Sequence, residues 1–231
     1  MTRGVILLPI PILYQDAHIV LCVKPVGLLS EDGGLPDRLA EQLGAARVYC
    51  VHRLDRDVGG VMAYALNGKT AALLTETFSG HRAVKEYALV CHGVPEPAAG
   101  VMTDLLYHDA ARNKTYVVNR PRKGVKDARL QYRALAEANA QGDPLSLVRV
   151  RIQTGRSHQI RAQFASRGLP LFGDARYGSP QRGADIALWS FRLAFAHPLT
   201  GKVLDFSRFP PPAEPWTRFP ALDELLKGNA L

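Results

Sequence analysis

The alternation of apolar and polar residues predicts many short strands. Residues 19–23 and 61–66 are apolar runs bounded by turn residues, as in buried strands. Residues 129–135 and 147–152 alternate between apolar and polar side chains, which predicts strands buried on one face only. Further strands are predicted at 86–90, 189–195 and 203–206.

Few helices are predicted between these strands. Leucines at positions 35, 39 and 43 have helical spacing. Asn67 can cap a helix over 69–78, and Ser157 can cap one over 158–167. Consecutive strands with few helices indicate an α+β fold, in which helices pack outside a mixed, mainly antiparallel sheet. The 231 residues show no internal repeat, so we expect a single domain.

The charge of the chain favours a polyanionic partner. Lys and Arg number 29 against 21 Asp and Glu, a formal net charge of +8. This excess suits a nucleic acid, but a basic protein with a merely solvated surface fits it equally well. The arrangement of the charges along the chain is therefore needed to distinguish these two interpretations.

The cysteines and the N-terminal region indicate a cytoplasmic protein. Cys22, Cys50 and Cys91 are far apart, so neither a disulfide framework nor a cysteine zinc site is expected, and a reducing compartment fits. The apolar stretch 5–13 is short and broken by two prolines, so we expect no membrane span and no export signal.

One candidate site is the segment 51–60, which reads VHRLDRDVGG. It places Asp55 and Asp57 among cationic or titratable side chains in a loop between two predicted strands, and such loops often carry function. A solvated turn is the alternative interpretation.

A second candidate is the segment 154–161, which runs from a strand into a predicted helix. Because helix N-termini attract anions, phosphate binding is reasonable here. His158 and Arg161 share one helical face, so Arg161 would project toward a partner while Ile160 and Phe164 pack inward. An ordinary amphipathic helix with an exposed Arg is the alternative.

A third candidate is the basic strip 113–126, which contains Lys114, Arg122 and Lys123 and no acidic residue. The phosphates of a nucleic acid are its natural partners, whereas a solvated basic hairpin is the alternative.

No metal or cofactor is predicted. His52, Asp55 and His158 are metal-ligand types, but their spacing matches no zinc motif. A Gly-rich phosphate loop and a dinucleotide fingerprint are also missing from the sequence.

In chain order, these segments resemble the RluA family of RNA pseudouridine synthases. The most specific match is HRLD at 52–55, which resembles the catalytic signature of the family. The other matching segments are ILYQD at 12–16, VKPVGL at 23–28, KEYALV at 85–90, GRSHQIR at 155–161, LPLFGD at 169–174 and YG at 177–178. The resemblance implies a catalytic domain over 1–231, with a core over 12–206, an extension over 207–231 and a central catalytic cleft.

The resemblance also implies roles for particular residues. Asp55 would be the catalytic carboxylate, Arg161 its ionic partner, and Tyr87 the residue that stacks on the uracil. The substrate would be structured ribosomal or transfer RNA whose uridine is flipped out, with no cofactor, no metal and no obligate protein partner. The residues expected to bind RNA or substrate are His52, Arg53, Arg56, Arg156, His158, Lys114, Arg122 and Lys123.

Two features depart from the family pattern. Residues 58–60 read VGG where Thr-Ser-Gly is usual, which removes two hydroxyls and adds backbone freedom at Gly59. No S4-like RNA-binding domain precedes the core, so the catalytic domain itself would recognise the target.

Two other functions remain open from the sequence. One is a non-catalytic RNA-binding protein that has kept the fold, and the other is a nucleoside or glycoside hydrolase. The hydrolase lacks a convincing second acid, because Asp57 is too close in sequence to face Asp55 across a substrate.

Overall fold

The computed structural model describes residues 8–140, 142–228 and 231. The apolar stretch 5–13 and the extension 207–231 therefore lie partly outside the described residues. The strands are β1 Ile12–Gln15, β2 Ile19–Lys24, β3 Tyr49–Cys50, β4 Gly59–Ala65, β5 Val84–His92, β6 Ala99–Asp109, β7 Lys114–Val118, β8 Val125–Ala140, β9 Asp143–Ile152, β10 Leu188–Ala196 and β11 Val203–Ser207. The helices are α1 Leu35–Leu43, α2 Gly68–Ser79, α3 Gln159–Ala165 and α4 Leu222–Gly228.

The described strands form one mixed sheet. Its order is β1-β2-β4-β10-β5-β9-β8-β6-β7, with β3 beside β4 and β11 beside β10. Within the described ranges the pairs are antiparallel, except that β4 and β10 run parallel where Gly59 and Gly60 pair with Trp189 and Ser190. The predicted α+β class with a mainly antiparallel sheet is confirmed.

Strand β4 is buried on both faces and separates two apolar clusters. Met62 and Tyr64 join a cluster that contains the inner leucines of α1. Val61 and Ala63 join a second cluster that contains Leu74 of α2. This division follows from the alternation of side chains along a strand. Across the described part of the chain, no helix is long and apolar enough to cross a membrane.

Most predicted elements are confirmed. The strands predicted at 19–23, 61–66, 86–90, 189–195 and 203–206 correspond to β2, β4, β5, β10 and β11, with ends within two residues. The Asn67 side chain caps α2 by accepting a hydrogen bond from the Thr70 amide at 2.9 Å. The helical spacing at 35, 39 and 43 corresponds to α1.

The expectation that 147–152 is buried on one face only is wrong. Arg149, on the face expected to be exposed, is only 3% exposed. Its guanidinium donates to buried Glu86 at 2.6 Å and to the Leu226 carbonyl of α4. Strand β9 is buried on both faces because this C-terminal helix packs near it, so its polar side chains are paired internally.

The predicted start of α3 is also wrong. The residue before the helix is His158, not Ser157, and it lies in the left-handed region at φ +50° with no side-chain cap. The turn is instead organised by Gln159, whose Oε1 accepts the Arg156 amide at 3.1 Å. The helix ends at Ala165, two residues earlier than predicted.

Candidate active site

The loop that carries Asp55 lies between β3 and β4 and is held by hydrogen bonds from two buried side chains. The Ser30 hydroxyl donates to the Leu54 carbonyl at 2.8 Å and accepts the Leu54 amide at 3.1 Å. The Lys24 ammonium is fully buried and donates to the Arg56 carbonyl at 2.9 Å. Burial lowers the pKa of Lys24 to about 8, while the nearby charges of Asp57 and Asp55 oppose that shift. The backbone on both sides of Asp55 is therefore held in place.

Asp55 lies in a cleft of about 660 Å³ and is bonded to Arg161. Arg161 Nη1 donates to Asp55 Oδ2 at 2.9 Å, so the structure contains the ion pair implied by the family resemblance. On its other side, Arg161 Nε and Nη2 donate to the two oxygens of Asp174 at 2.6 and 2.9 Å. The Asp55 side chain is 26% exposed and that of Asp174 only 1%. One arginine thus joins an accessible carboxylate to a buried one.

The expectation from the helical spacing that Arg161 projects toward a binding partner is wrong. Residues 159–164 are all buried, and the Arg161 side chain is 5% exposed. The helix turns Arg161 inward because its two carboxylate partners, Asp55 and Asp174, lie on the inner side. The alternative of an exposed arginine is excluded by the same geometry.

His158 lies beside Asp55, in the same group of charged side chains as Arg161 and Asp174. Its Nε2 is 3.7 Å from Asp55 Oδ2, and its Nδ1 is 3.1 Å from the Tyr177 hydroxyl. Burial lowers the pKa of His158, and the Asp55 charge opposes that shift. Thr115 on β7 holds the Tyr177 hydroxyl in turn, because its amide donates to that oxygen at 2.7 Å.

Tyr87 on β5 forms part of the cleft wall. The side chain is buried, and both burial and the negative charge of Asp55 raise the pKa of its hydroxyl. The phenol therefore stays protonated near neutral pH and is a poor base. The apolar side chains of Leu54, Val58, Ile160 and Leu188 line the same cleft and belong with Tyr87 to one apolar cluster. This environment suits a flat, partly apolar ring.

The VGG segment is tightly packed, contrary to the expected freedom at Gly59. A Cβ atom at Gly59 would lie 2.3 Å from Trp189 Cζ3, and one at Gly60 would lie 2.2 Å from the Ser190 carbonyl oxygen. Gly60 also has φ +122°, a conformation that side chains rarely adopt. Both glycines belong to β4, and they allow it to lie close to β10.

His52 lines the cleft, but its ring is already engaged. Its Nε2 accepts the Ala63 amide at 3.0 Å, and its ring stacks on Phe78 with centroids 4.3 Å apart. Burial, and then the charge of Lys85, lower the pKa of His52 to about 3. The histidine is therefore neutral and braces the loop, so it offers RNA no positive charge.

The two arginines of the 51–60 loop lie at its surface. Arg53 lines the cleft and pairs with Glu31 at 3.1 Å. Arg56 is exposed and pairs with Asp57 at 3.0 Å, and it is not among the residues that line the cleft. Of the two, Arg53 is the one that lines the cleft.

The other predicted RNA-binding residues lie around the site. Arg156 lines the cleft, and its Nε donates to the Asp127 carbonyl at 2.9 Å. Lys114 lies over the ring of Tyr177, 5.2 Å from its centroid, and Tyr177 is the hydrogen-bond partner of His158. Arg122 and Lys123 are exposed in the turn between β7 and β8, outside the cleft lining.

Sequence reasoning missed the structural importance of Asp174, Tyr177 and Lys85. All three lie within matched segments, namely 85–90, 169–174 and 177–178, so the motifs were the available signal. Nothing in the local pattern indicates that Asp174 binds Arg161 thirteen positions before it. Across the residues that the structure describes, no group of three or more metal-ligating side chains is assembled.

Comparison with known proteins identifies the family. A family model described as RNA pseudouridylate synthase matches residues 18–166. The dual-specificity RNA pseudouridine synthase RluA of Escherichia coli K12 is 32% identical over 208 residues, which cover 84% of this chain and 90% of that protein. An uncharacterized RNA pseudouridine synthase of Aquifex aeolicus is 30% identical over 223 residues, 86% of this chain and 69% of that protein.

Solved structures share the fold. Human RNA pseudouridylate synthase domain containing 1 superposes with a TM-score of 0.78 at 21% identity, covering 95% of this chain and 94% of that one. Human RNA pseudouridylate synthase domain containing 4 gives a TM-score of 0.74 at 23% identity, covering 94% and 93%.

The chain therefore belongs to the RNA pseudouridylate synthase family, a class of isomerases that act on RNA. Within that class it is an RluA-type enzyme, as its relatives show. The resemblance read from the sequence motifs is confirmed.

Proposed function

We propose that this protein converts uridines of ribosomal or transfer RNA to pseudouridine, with Asp55 as the catalytic carboxylate. The observation that carries the proposal is the position of Asp55. It is the partly exposed end of the Asp174–Arg161–Asp55 chain, and it lies in a cleft that also contains Tyr87.

The reaction breaks the bond between N1 of uracil and C1′ of ribose, turns the base and joins C5 to C1′. The hydrogen on C5 leaves as a proton, and N1 gains one, so atoms and electrons balance within the substrate. While the base is detached, C1′ is electron-poor, and the Asp55 carboxylate traps or stabilises it. The carboxylate is released again when C5 bonds to C1′.

Arg161 and Tyr87 have supporting roles in this proposal. The Arg161 guanidinium compensates the charge of Asp55, and its planar fork contacts both carboxylates at once. The raised pKa of Tyr87 keeps its phenol protonated, so it is a poor proton acceptor. Its role in this proposal is therefore to stack on the uracil.

The target uridine must lie outside the RNA helix. It is either flipped out, which costs a few kcal/mol, or already exposed in a loop. Arg53 at the cleft then occupies the vacated space, while Arg156, Lys114, Arg122 and Lys123 contact phosphates. The relatives include a protein named ribosomal large subunit pseudouridine synthase D and one named as dual-specificity. The first name supports ribosomal RNA as a target, and the second supports more than one kind of target.

Two further proposals concern the chain as a whole. We propose that residues 1–231 form one catalytic domain, which is supported by the packing of Trp216, Phe219 and Leu226 into an apolar cluster with β10. A cytoplasmic location is supported by the free thiols of Cys22 and Cys91, both buried.

The proposal is tested on RNA isolated from a strain that lacks the gene. After incubation with the protein, the RNA is digested to nucleosides, and pseudouridine, uridine and free uracil are separated and quantified. The proposal predicts that pseudouridine rises as uridine falls, without free uracil. Free uracil would indicate a hydrolase, and RNA binding without any product would indicate the non-catalytic alternative.

A further inference from the structure

Lys85 on β5 is a buried cation that lines the catalytic cleft two residues before Tyr87. It is only 9% exposed. Along a strand, positions two apart face the same side, so Lys85 and Tyr87 point to the same face of β5. Among the described residues, neither a carboxylate at ion-pair distance nor a hydrogen-bond acceptor is found for its ammonium.

The contacts of Lys85 include an aromatic ring but, within the described residues, no carboxylate at ion-pair distance. Its Nζ lies 5.9 Å from the centroid of the Phe78 ring, which gives a cation–π contact. The two carboxylates that line the cleft are already paired, Glu31 with Arg53 and Asp55 with Arg161. Burial lowers the pKa of Lys85, as expected for an ammonium without an anionic partner.

A comparison with Lys24 shows that this arrangement is not required for burying a lysine in this fold. The Lys24 ammonium is more deeply buried and donates to the carbonyls of Pro25 and Arg56 at 3.0 and 2.9 Å. A buried cation without such acceptors destabilises a protein. The fold therefore satisfies one buried lysine and leaves the other open toward the cleft.

We propose that Lys85 binds a phosphate of the RNA backbone next to the flipped uridine, an inference that rests on the proposed function. The ligand must be anionic, and phosphate is the anion that every RNA nucleotide carries. The ammonium approaches the turn at Gly155, where an added Cβ would be 3.7 Å from Nζ, and Arg156 lines the same cleft as a second cation. His52 nearby is neutral and does not compete for the anion.

The test compares Lys85→Met, which removes the charge at similar length, with Lys85→Arg, which keeps it. Lys69→Met is the matched control, because Lys69 is exposed at the start of α2, outside the cleft lining. Activity is measured as tritium release from gene-deletion-strain RNA labelled at uracil C5. Binding of the same RNA is measured over a salt series in proteins that also carry Asp55→Asn, so that no turnover occurs.

The proposal predicts that Lys85→Met raises KM about tenfold and changes kcat little, as for the loss of one charge-assisted hydrogen bond. The slope of log K against log salt should weaken by about 0.7–0.9, the value for one lost phosphate contact. Lys85→Arg should keep the slope, and Lys69→Met should change nothing. The melting temperature of Lys85→Met should stay within a few degrees of the wild-type value, because the change removes only the cation–π contact with Phe78.

Three results would overturn the inference. An unchanged salt slope with a reduced kcat would place Lys85 at the reacting base, and unchanged KM and slope would leave it no role in binding. A clearly lower melting temperature for Lys85→Met would make the lysine structural. If the wild-type protein releases no tritium, the proposed function fails, whereas the salt slope still decides whether Lys85 contacts a phosphate.

Discussion

Arg161 and Asp174 form a two-point ion pair beneath the cleft, with Nε–Oδ2 and Nη2–Oδ1 distances of 2.6 and 2.9 Å. This pair fixes the plane of the guanidinium and leaves Nη1 to bind Asp55 at 2.9 Å. Since Asp174 is buried and Asp55 is accessible, the pair acts as a rigid support for the carboxylate that faces the cleft.

Asp174→Asn is expected to lower kcat without a large change in KM. The amide keeps the size of the side chain but loses one of the two charge-assisted bonds to Arg161, so the support of Asp55 becomes less well ordered. A misplacement of about 1 Å can reduce a rate roughly 100-fold. Steady-state kinetics check this, with Asp205→Asn as the control, because Asp205 pairs with Arg192 outside the cleft lining. Equal kinetics for the two variants would contradict the role of Asp174.

Arg161→Met is expected to destabilise the protein strongly. It leaves Asp174 buried without its ionic partner, which corresponds to about 3–5 kcal/mol of unfolding free energy. Arg161→Lys should recover only part of this loss, because an ammonium lacks the planar fork that contacts two carboxylates. Urea unfolding measures both variants. Arg47→Met removes an exposed ion pair with Asp32 and a cation–π contact with Tyr49, and should cost at most about 1 kcal/mol. A similar effect at both sites would argue against the buried chain of ion pairs.

Gly59→Ala is expected to destabilise the protein by about 1–3 kcal/mol, because the added methyl group meets Trp189 at 2.3 Å. Gly68→Ala is the matched control. Gly68 is the first residue of α2 and has open space around its Cβ position, so alanine should be neutral or slightly stabilising there. Thermal unfolding compares the two variants. A neutral Gly59→Ala would show that β4 and β10 are less tightly packed than described.

His52 is expected to make stability depend on acid pH. The unfolded chain binds a proton at this residue near pH 6.5, whereas the folded chain does so only at about pH 3. The unfolded state therefore binds more protons between these values, and the free energy of unfolding falls as pH falls, by at most about 1.4 kcal/mol per pH unit. His52→Gln should show a shallower decline in urea unfolding measured from pH 7 to 4. If the stability curves of wild type and His52→Gln run parallel, His52 is protonated as readily in the folded protein as in the unfolded chain.

The strands with simple apolar runs were predictable from the sequence, and those with irregular patterns were not. Strands β2 and β4 are mainly apolar runs bounded by turn residues, and β5 and β10 each contain an apolar stretch long enough to be recognised. The long strand β6 was missed because Gly100 and several polar residues interrupt its pattern. The full burial of Arg149 could not be predicted, since it depends on α4, which lies 77 positions further along the chain.

The site was predictable to the extent that its residues lie in short motifs. The pairing of Asp55 with Arg161 followed from the family resemblance. The second partner of Arg161, Asp174, required the fold, because the turn that carries it is brought under α3 only by tertiary packing. The lowered pKa of His52 likewise depends on its burial and on the nearby charge of Lys85, which no local pattern shows.

The central claim is that Asp55 is the catalytic carboxylate, and tritium release from RNA labelled at uracil C5 tests it most directly. Hydrogen leaves C5 only when the new carbon–carbon bond forms. Asp57→Asn is the matched control, because Asp57 lies two positions away and pairs with Arg56 at the surface. The account predicts that Asp55→Asn binds the RNA but releases no tritium, while Asp57→Asn stays close to wild type. Release by Asp55→Asn at the wild-type rate would contradict the account.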